Sequence, residues 1–248
     1  MKAVYAILKR ELRSYFASPT AYIILLVFLV LSGIFFFVYL ETFLQLQNDP
    51  RYYQEAPNLN EMIISLYFGT INILLLLMVP LITMRLLAEE KKSFTGEMLF
   101  TSPVRTVYIV LGKYLASLTL FVTMLCLSYV NVAMLQVYGN PDGGPIFTGY
   151  LGLFLVGASF LSIGLFASSL TENQMIAAII SFGTLLVFWV VGASSEMSSS
   201  VAGYLSIINH FESFINGVLE VRDIVYYVTL TLFGLFLTNT VLDSERWR

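Results

Sequence analysis

The sequence predicts an all-α membrane protein with six transmembrane helices and both termini in the cytoplasm. Three observations predict it. Hydrophobic residues make up 58% of the 248-residue chain and charged residues 12%, with a mean hydropathy of +0.81. Soluble domains carry roughly 25% charge; a chain this poor in polar groups cannot cover itself in water, and a bilayer removes that need. Second, six runs approach the roughly 20 apolar residues that a spanning helix needs: 21–40, 63–82, 107–134, 149–170, 174–191 and 224–242. Third, the basic residues are sorted to one side of these runs.

None of the six runs has a charge in its middle; Lys113 lies near one end of the third. Spanning strands would be about 9–11 residues long and alternate in polarity, and these runs do neither. The third is long enough to tilt or to protrude. Six spans put both termini on one side. That side holds Lys2, Lys9, Arg10, Arg13, Arg85, Lys91, Lys92, Arg105, Lys113, Arg246 and Arg248, and the other only Arg51 and Arg222. Eleven against two is a strong positive-inside bias, so the termini and the loop 85–105 are cytoplasmic. The basic, then apolar N-terminus reads as a retained first span, because the apolar run is about twice the 7–15 residues of a signal h-region and no cleavage site follows.

Before the first span, Val4, Ile7, Leu8, Leu12 and Tyr15 recur at helical spacing, with Lys2, Lys9 and Arg13 largely elsewhere on the wheel. Residues 1–18 therefore form an amphipathic helix at the cytoplasmic interface, in contact with membrane lipid. It is either a topology anchor or also a contact for a cytoplasmic partner. Ser18-Pro19 breaks it before the span begins. The polar loop 41–60, with Pro50 and Pro57, is irregular, and NPDGGP at 140–145 is a reversal of turn formers. The turn 171–174 between the fourth and fifth spans reads as a capped hairpin, with Thr171 capping and Glu172 near the positive end of the next helix. Residues 194–223 form an external helical segment, with Leu205, Ile208, Phe211, Ile215 and Leu219 as an apolar stripe beside His210, Glu212, Asn216 and Glu220. His210, the chain's one histidine, reads as a hydrogen-bonded or interfacial side chain rather than a ligand.

The loop 85–105 holds seven of the chain's twenty-nine acidic and basic residues. Pro80 sits at the cytoplasmic end of the second span, where neighbouring groups can satisfy the carbonyl it frees. Met84, Leu87 and Ala88 continue the helical pattern into the cytoplasm. Glu89, Glu90, Lys91 and Lys92 then form a mixed-charge cluster, Ser93, Thr95 and Gly96 a turn, and Glu97 to Phe100 a short second helix. Ser102-Pro103 is a good helix start for the third span. The elbow at 83–105 therefore has a charged face and an apolar edge. Both suit docking to another protein; a solvated loop that only fixes topology is the plainer alternative.

Several chemistries are excluded. Gly112-Lys113-Tyr114 lacks the upstream glycine and hydroxyl residue of a phosphate-binding loop, and no H-E-x-x-H or G-x-S-x-G occurs. One His and one Cys, Cys126, supply neither a zinc site nor a disulfide. The spans carry no central carboxylate or His, against an intramembrane enzyme or an ion-coupled carrier. Asn72 and Asn131 read as interhelical hydrogen-bond formers or as pathway residues. Ala158-xxx-Ser162, Gly164-xxx-Ser168 and Ala177-xxx-Ser181 are small-residue pairs that permit close helix packing.

Ala88-Glu89-Glu90-Lys91-Lys92, Thr95-Gly96-Glu97, Thr101-Ser102-Pro103-Val104 and Leu111-Gly112-Lys113 occur in the order and spacing of a known family. Gly217-Val218-Leu219 and Arg222-Asp223-Ile224-Val225-Tyr226-Tyr227 add to it. Over essentially its whole length the chain resembles an ABC-2 type transporter permease, the membrane subunit of a bacterial ABC system, nearest in look to the gliding-motility-associated permease group. Phe94 departs from the small residue common there.

The resemblance implies a single transmembrane domain over 1–248 in the bacterial cytoplasmic (inner) membrane. It implies an elbow resting on an ABC ATPase subunit through Glu89, Glu90, Lys91, Lys92, Gly96 and Glu97, with Glu172 as a smaller second contact. Two ATPase copies, which hold the ATP and Mg, would pair with this chain and a second permease, identical or paralogous. The chain itself would bind no cofactor and no nucleic acid and would be no enzyme. Its work would be ATP-driven transport, export in most systems of this look. The alternative is a non-transporting anchor that acts on an extracytoplasmic protein through 194–223.

Overall fold

The computed structural model describes residues 2–47, 59–93, 105–139, 141–191 and 206–246. The first helix, α1, runs from Lys2 to Ala17, and α2 from Pro19 to Gln47. Ser18 alone separates them. Pro19 is tolerated because the first residue of a helix has no use for its missing N–H. A short π-helical turn, Asn60–Ile64, leads into α3, Ser65–Thr83. After a turn at 84–87 comes α4, Ala88–Lys92. Then follow α5, Thr106–Gly139; α6, Gly143–Ser169; α7, Gln174–Val190; α8, Ile207–Ile215; and α9, Val221–Arg246.

The stretches built on α2, α3, α5, α6 and α9 are each long and apolar enough to cross a membrane, and α7, at 17 residues, is a shorter apolar helix. At 1.5 Å per residue α7 is about 25 Å long, close to the hydrocarbon thickness of about 30 Å. With the sequence's six runs all helical, this is an all-α multi-pass architecture.

Helix α6 is the hub, packing against α3, α5, α7, α8 and α9. Small residues make that possible. A Cβ at Gly157 would stand 2.0 Å from the Phe121 ring, and one at Gly164 would stand 2.2 Å from the Thr83 hydroxyl. Helices α2 and α9 instead turn large side chains outward, including Ile23, Leu26, Ile34 and Phe37, and Leu232, Phe233 and Phe236. Those are the surfaces a bilayer solvates without cost.

Five local expectations are corrected. The loop expected at 41–60 is helical over 41–47, where α2 continues to Gln47. Gly143, Gly144 and Pro145 do not merely reverse the chain; they form the first turn of α6, where proline's missing N–H leaves no bond unmade. The cap of α7 is Asn173, whose Oδ1 accepts from the Met175 N–H at 2.9 Å, while Thr171 Oγ1 accepts from the Asn173 N–H at 3.1 Å. The second-span helix stops at Thr83 rather than running on through Leu87, because the 84–87 turn is held by α6. The buried face of α8 is Ile207, His210, Phe211 and Phe214, rotated from the expected stripe so that His210 points inward. Arg51, residues 94–104 with Gly96 and Glu97, and residues 194–205 with Leu205 lie outside the described residues.

Candidate functional site

The site is the end of the bundle where α4 meets α1, α5, α6, α7 and α9. Leu86, Leu87 and Ala88 are buried and anchor the start of α4. Its N-terminal amides have no side-chain cap in their own segment. Ser168, near the end of α6, supplies one. Its hydroxyl accepts from the Leu87 and Ala88 N–H groups, each at 3.1 Å, and donates to the Met84 carbonyl at 3.1 Å. One hydroxyl thus satisfies three backbone groups that the break between α3 and α4 leaves open.

The four charges of α4 divide. Glu90 and Lys91 point inward. Glu90 lies 2.5 Å from Arg10 of α1 and 3.0 Å from Lys113 of α5. Lys91 donates to the Ser169 carbonyl of α6 at 2.5 Å and pairs with Glu245 of α9. Glu89 and Lys92 are exposed, Glu89 paired at 3.1 Å with Arg85 one turn earlier. Glu172, also exposed, sits in the turn before α7, the helix α4 packs beside. Thr106 at the start of α5 bonds Asp243 of α9, which also accepts from Asn239 at 2.9 Å.

Lys113 is 1% exposed and is held between Glu90 and Glu11, the latter at 3.1 Å. Arg10 closes the group at 2.8 Å from Glu11. Burial is the largest influence on the Glu11 carboxyl and pushes it up, but Lys113 and Arg10 together outweigh it and hold it below the ordinary glutamate range. Sequence reasoning took Lys113 as a topology charge. The available signal was the neighbouring Gly112 and a lysine that already lies within the first turns of an apolar run.

Of the polar span residues, Asn131 donates to the Tyr67 hydroxyl at 2.9 Å, and that hydroxyl donates to the Ser128 carbonyl at 3.2 Å. Asn72 is buried, and its Oδ1 has no partner among the described residues. It borders an open cleft of about 480 Å³ with Gly69, Thr70, Trp189 and Phe211. At the external end, His210 and Asp223 form a second buried pair.

The ends of α1, α5, α6 and α9 are thus tied to one short charged helix. The chain matches the family model described as ABC-2 family transporter protein over residues 40–241. The chain belongs to that family. An ABC-2 permease is the membrane component of an ABC system rather than its ATPase, it is a multi-pass membrane protein, and it partners an ABC ATPase subunit. No curated protein matches the chain.

Proposed function

We propose that this ABC-2 permease converts ATP hydrolysis in a separate subunit into a change of bundle conformation that exports a substrate. Two ATPase copies, carrying ATP and Mg, act on two permeases, this chain and an identical or paralogous partner. The observation that carries the reading is the division of charge on α4. Glu90 and Lys91 are tied to α1, α5, α6 and α9, while Glu89 and Lys92 face outward. The outward pair, with Gly96 and Glu97 beyond it and Glu172 beside it, forms the dock. Closure of the ATPase pair displaces α4, and the inward pair hands the displacement to the spans. ATP biases the bundle because the ATPase binds it differently in its two states. Interface charges of this kind chiefly set orientation and specificity.

The test is co-purification and ATP turnover in nanodiscs with Glu89, Glu97 and Glu172 replaced by Ala, singly and together. Loss of the ATPase or of turnover from a folded permease is expected. Unchanged assembly and turnover would show that the loop only fixes topology. A second reading, a non-transporting subunit that works on an extracytoplasmic protein, draws support from α8. That helix is fastened to α9 by His210–Asp223 and to α6 by the Thr148 hydroxyl on the Phe214 carbonyl at 2.7 Å, so it would move with the spans.

A further inference from the structure

Lys113 is the one charged residue of α5, and it is buried where a topology lysine would reach for water. It stands seven residues into the helix, about 10 Å from its start, with about 39 Å of helix beyond it. Its two carboxylate partners come from two different elements, Glu11 of α1 and Glu90 of α4. Arg10 bridges both carboxylates, so the quartet is two cations and two anions with no net charge.

The backbone is shaped for this contact. A Cβ at Gly112 would stand 2.7 Å from the Ile7 side chain and 3.3 Å from the Val4 carbonyl. Only glycine lets α1 lie this close on α5. Glu11, one turn beyond Ile7, then reaches Lys113.

We propose that Lys113 is the positioning residue through which a displacement of α4 reaches α5, while Arg10–Glu90 ties α4 to α1 directly: a mechanical joint rather than a topology anchor. This rests on the permease reading above. Apolar contacts between a five-residue helix and a span would slip under load. A buried ion pair does not, because separating the partners strands an uncompensated charge in a low-dielectric site. The joint therefore makes α1, α4 and α5 respond together, and α5 carries the movement to the outer face.

The test uses the assembled permease and ATPase in nanodiscs, with Cys126→Ala and spin labels placed by Tyr138→Cys and Val221→Cys. These positions are 90% and 75% exposed, at the outer ends of α5 and α9. Labelled subunits are diluted with unlabelled ones, and the distance is read by electron spin resonance with and without ATP and Mg. Glu11→Gln combined with Lys113→Met removes the joint yet leaves Arg10–Glu90 as a neutral pair, so no charge is stranded. The expected result is retained assembly and ATP turnover with loss of the ATP-dependent shift, and its return in Lys113→Arg.

A wild-type shift in the double variant would overturn the joint. So would loss of ATPase binding from a folded double variant, which would make the quartet a structural brace for the dock. A wild-type assembly that turns over ATP with no shift at all would equally overturn it. A wild-type chain that fails to bind any ABC ATPase would sink the permease reading first, and the joint with it.

Discussion

The imidazole Nδ1 of His210 lies 2.7 Å from the Oδ1 of Asp223, and both side chains are buried between α8 and α9. The His210 ring stacks on Tyr226 with centroids 4.1 Å apart, and the Tyr227 hydroxyl donates to the Ile207 carbonyl at 2.8 Å. The pair and the Tyr227–Ile207 bond together fasten α8 to the last span. Losing a hydrogen bond to a charged group typically costs about 1.5–3 kcal/mol, and after loss of the imidazole the Asp223 carboxylate keeps only Arg222 among the described residues, at 3.4 Å. His210→Ala is expected to lower the unfolding free energy of the subunit in detergent by an amount of this order. His210→Ala with Asp223→Ala should cost less than His210→Ala alone. Additive effects of the two substitutions in a double-mutant cycle would mean that the pair carries no coupling.

Glu11 gives the molecule an acid limit. Its carboxyl is held below the ordinary glutamate value by Lys113 and Arg10 against the opposing push of burial. A lowered folded-state pKa means that the stabilisation is complete above the unfolded value, about 4.3, and is lost as pH falls through the folded one. Thermal stability of the subunit should therefore fall below about pH 4.3. Glu11→Gln should flatten that acid-side decline while lowering stability at neutral pH by about 1.5–3 kcal/mol, the scale of a hydrogen bond to a charged group. An acid-side decline of the same size in Glu11→Gln would assign it to other groups.

How much of this was legible in the sequence follows from the range of the forces involved. The spans were readable because the bilayer imposes length and apolarity on each segment by itself; the run at 149–170 became α6 at Gly143–Ser169. The helix α1 was readable from the spacing of Val4, Ile7, Leu8, Leu12 and Tyr15, but that Val4 and Ile7 lie against Gly112 of α5 was not. What failed depended on partners distant in sequence. The turn at 84–87 is closed by Ser168, some eighty residues away, so nothing near Leu87 announces that the helix stops. The phase of α8 was misjudged because His210 looked like a polar-face residue until Asp223 was placed beside it. Glu90 and Lys91 looked like their neighbours Glu89 and Lys92. Only tertiary structure sorts the four into an inward pair and an outward pair.

The close approaches to α6 predict a sharp response to one added methyl group. At Gly157 a Cβ would meet the Phe121 ring at 2.0 Å, and Phe121 is itself fully buried. The ring cannot retreat without displacing α5. Gly157→Ala should destabilise the subunit by about 1–3 kcal/mol through overpacking, despite alanine's better helix propensity. At Gly33 a Cβ would meet nothing within 4 Å. Gly33→Ala should be neutral or stabilising by up to about 1 kcal/mol. Thermal melts in detergent compare the two, and equal responses would contradict the packing of α5 on α6.

The two span asparagines should respond in opposite directions. Asn131 has a partner in its own chain, the Tyr67 hydroxyl at 2.9 Å, and Asn131→Leu should cost about 0.6 kcal/mol, the average for an interhelical bond in a membrane protein. Asn72 has no partner for its buried Oδ1 among the described residues. A buried polar group without a hydrogen bond is unfavourable by roughly 1–3 kcal/mol on mutational scales. Asn72→Leu should therefore leave the isolated subunit as stable as before or more so, even though the residue is the more deeply buried of the two. Denaturation of the single subunit, away from the ATPase, measures both. A loss on Asn72→Leu as large as that on Asn131→Leu would mean that Asn72 is satisfied within the folded chain, and that the cleft beside it holds no open polar group.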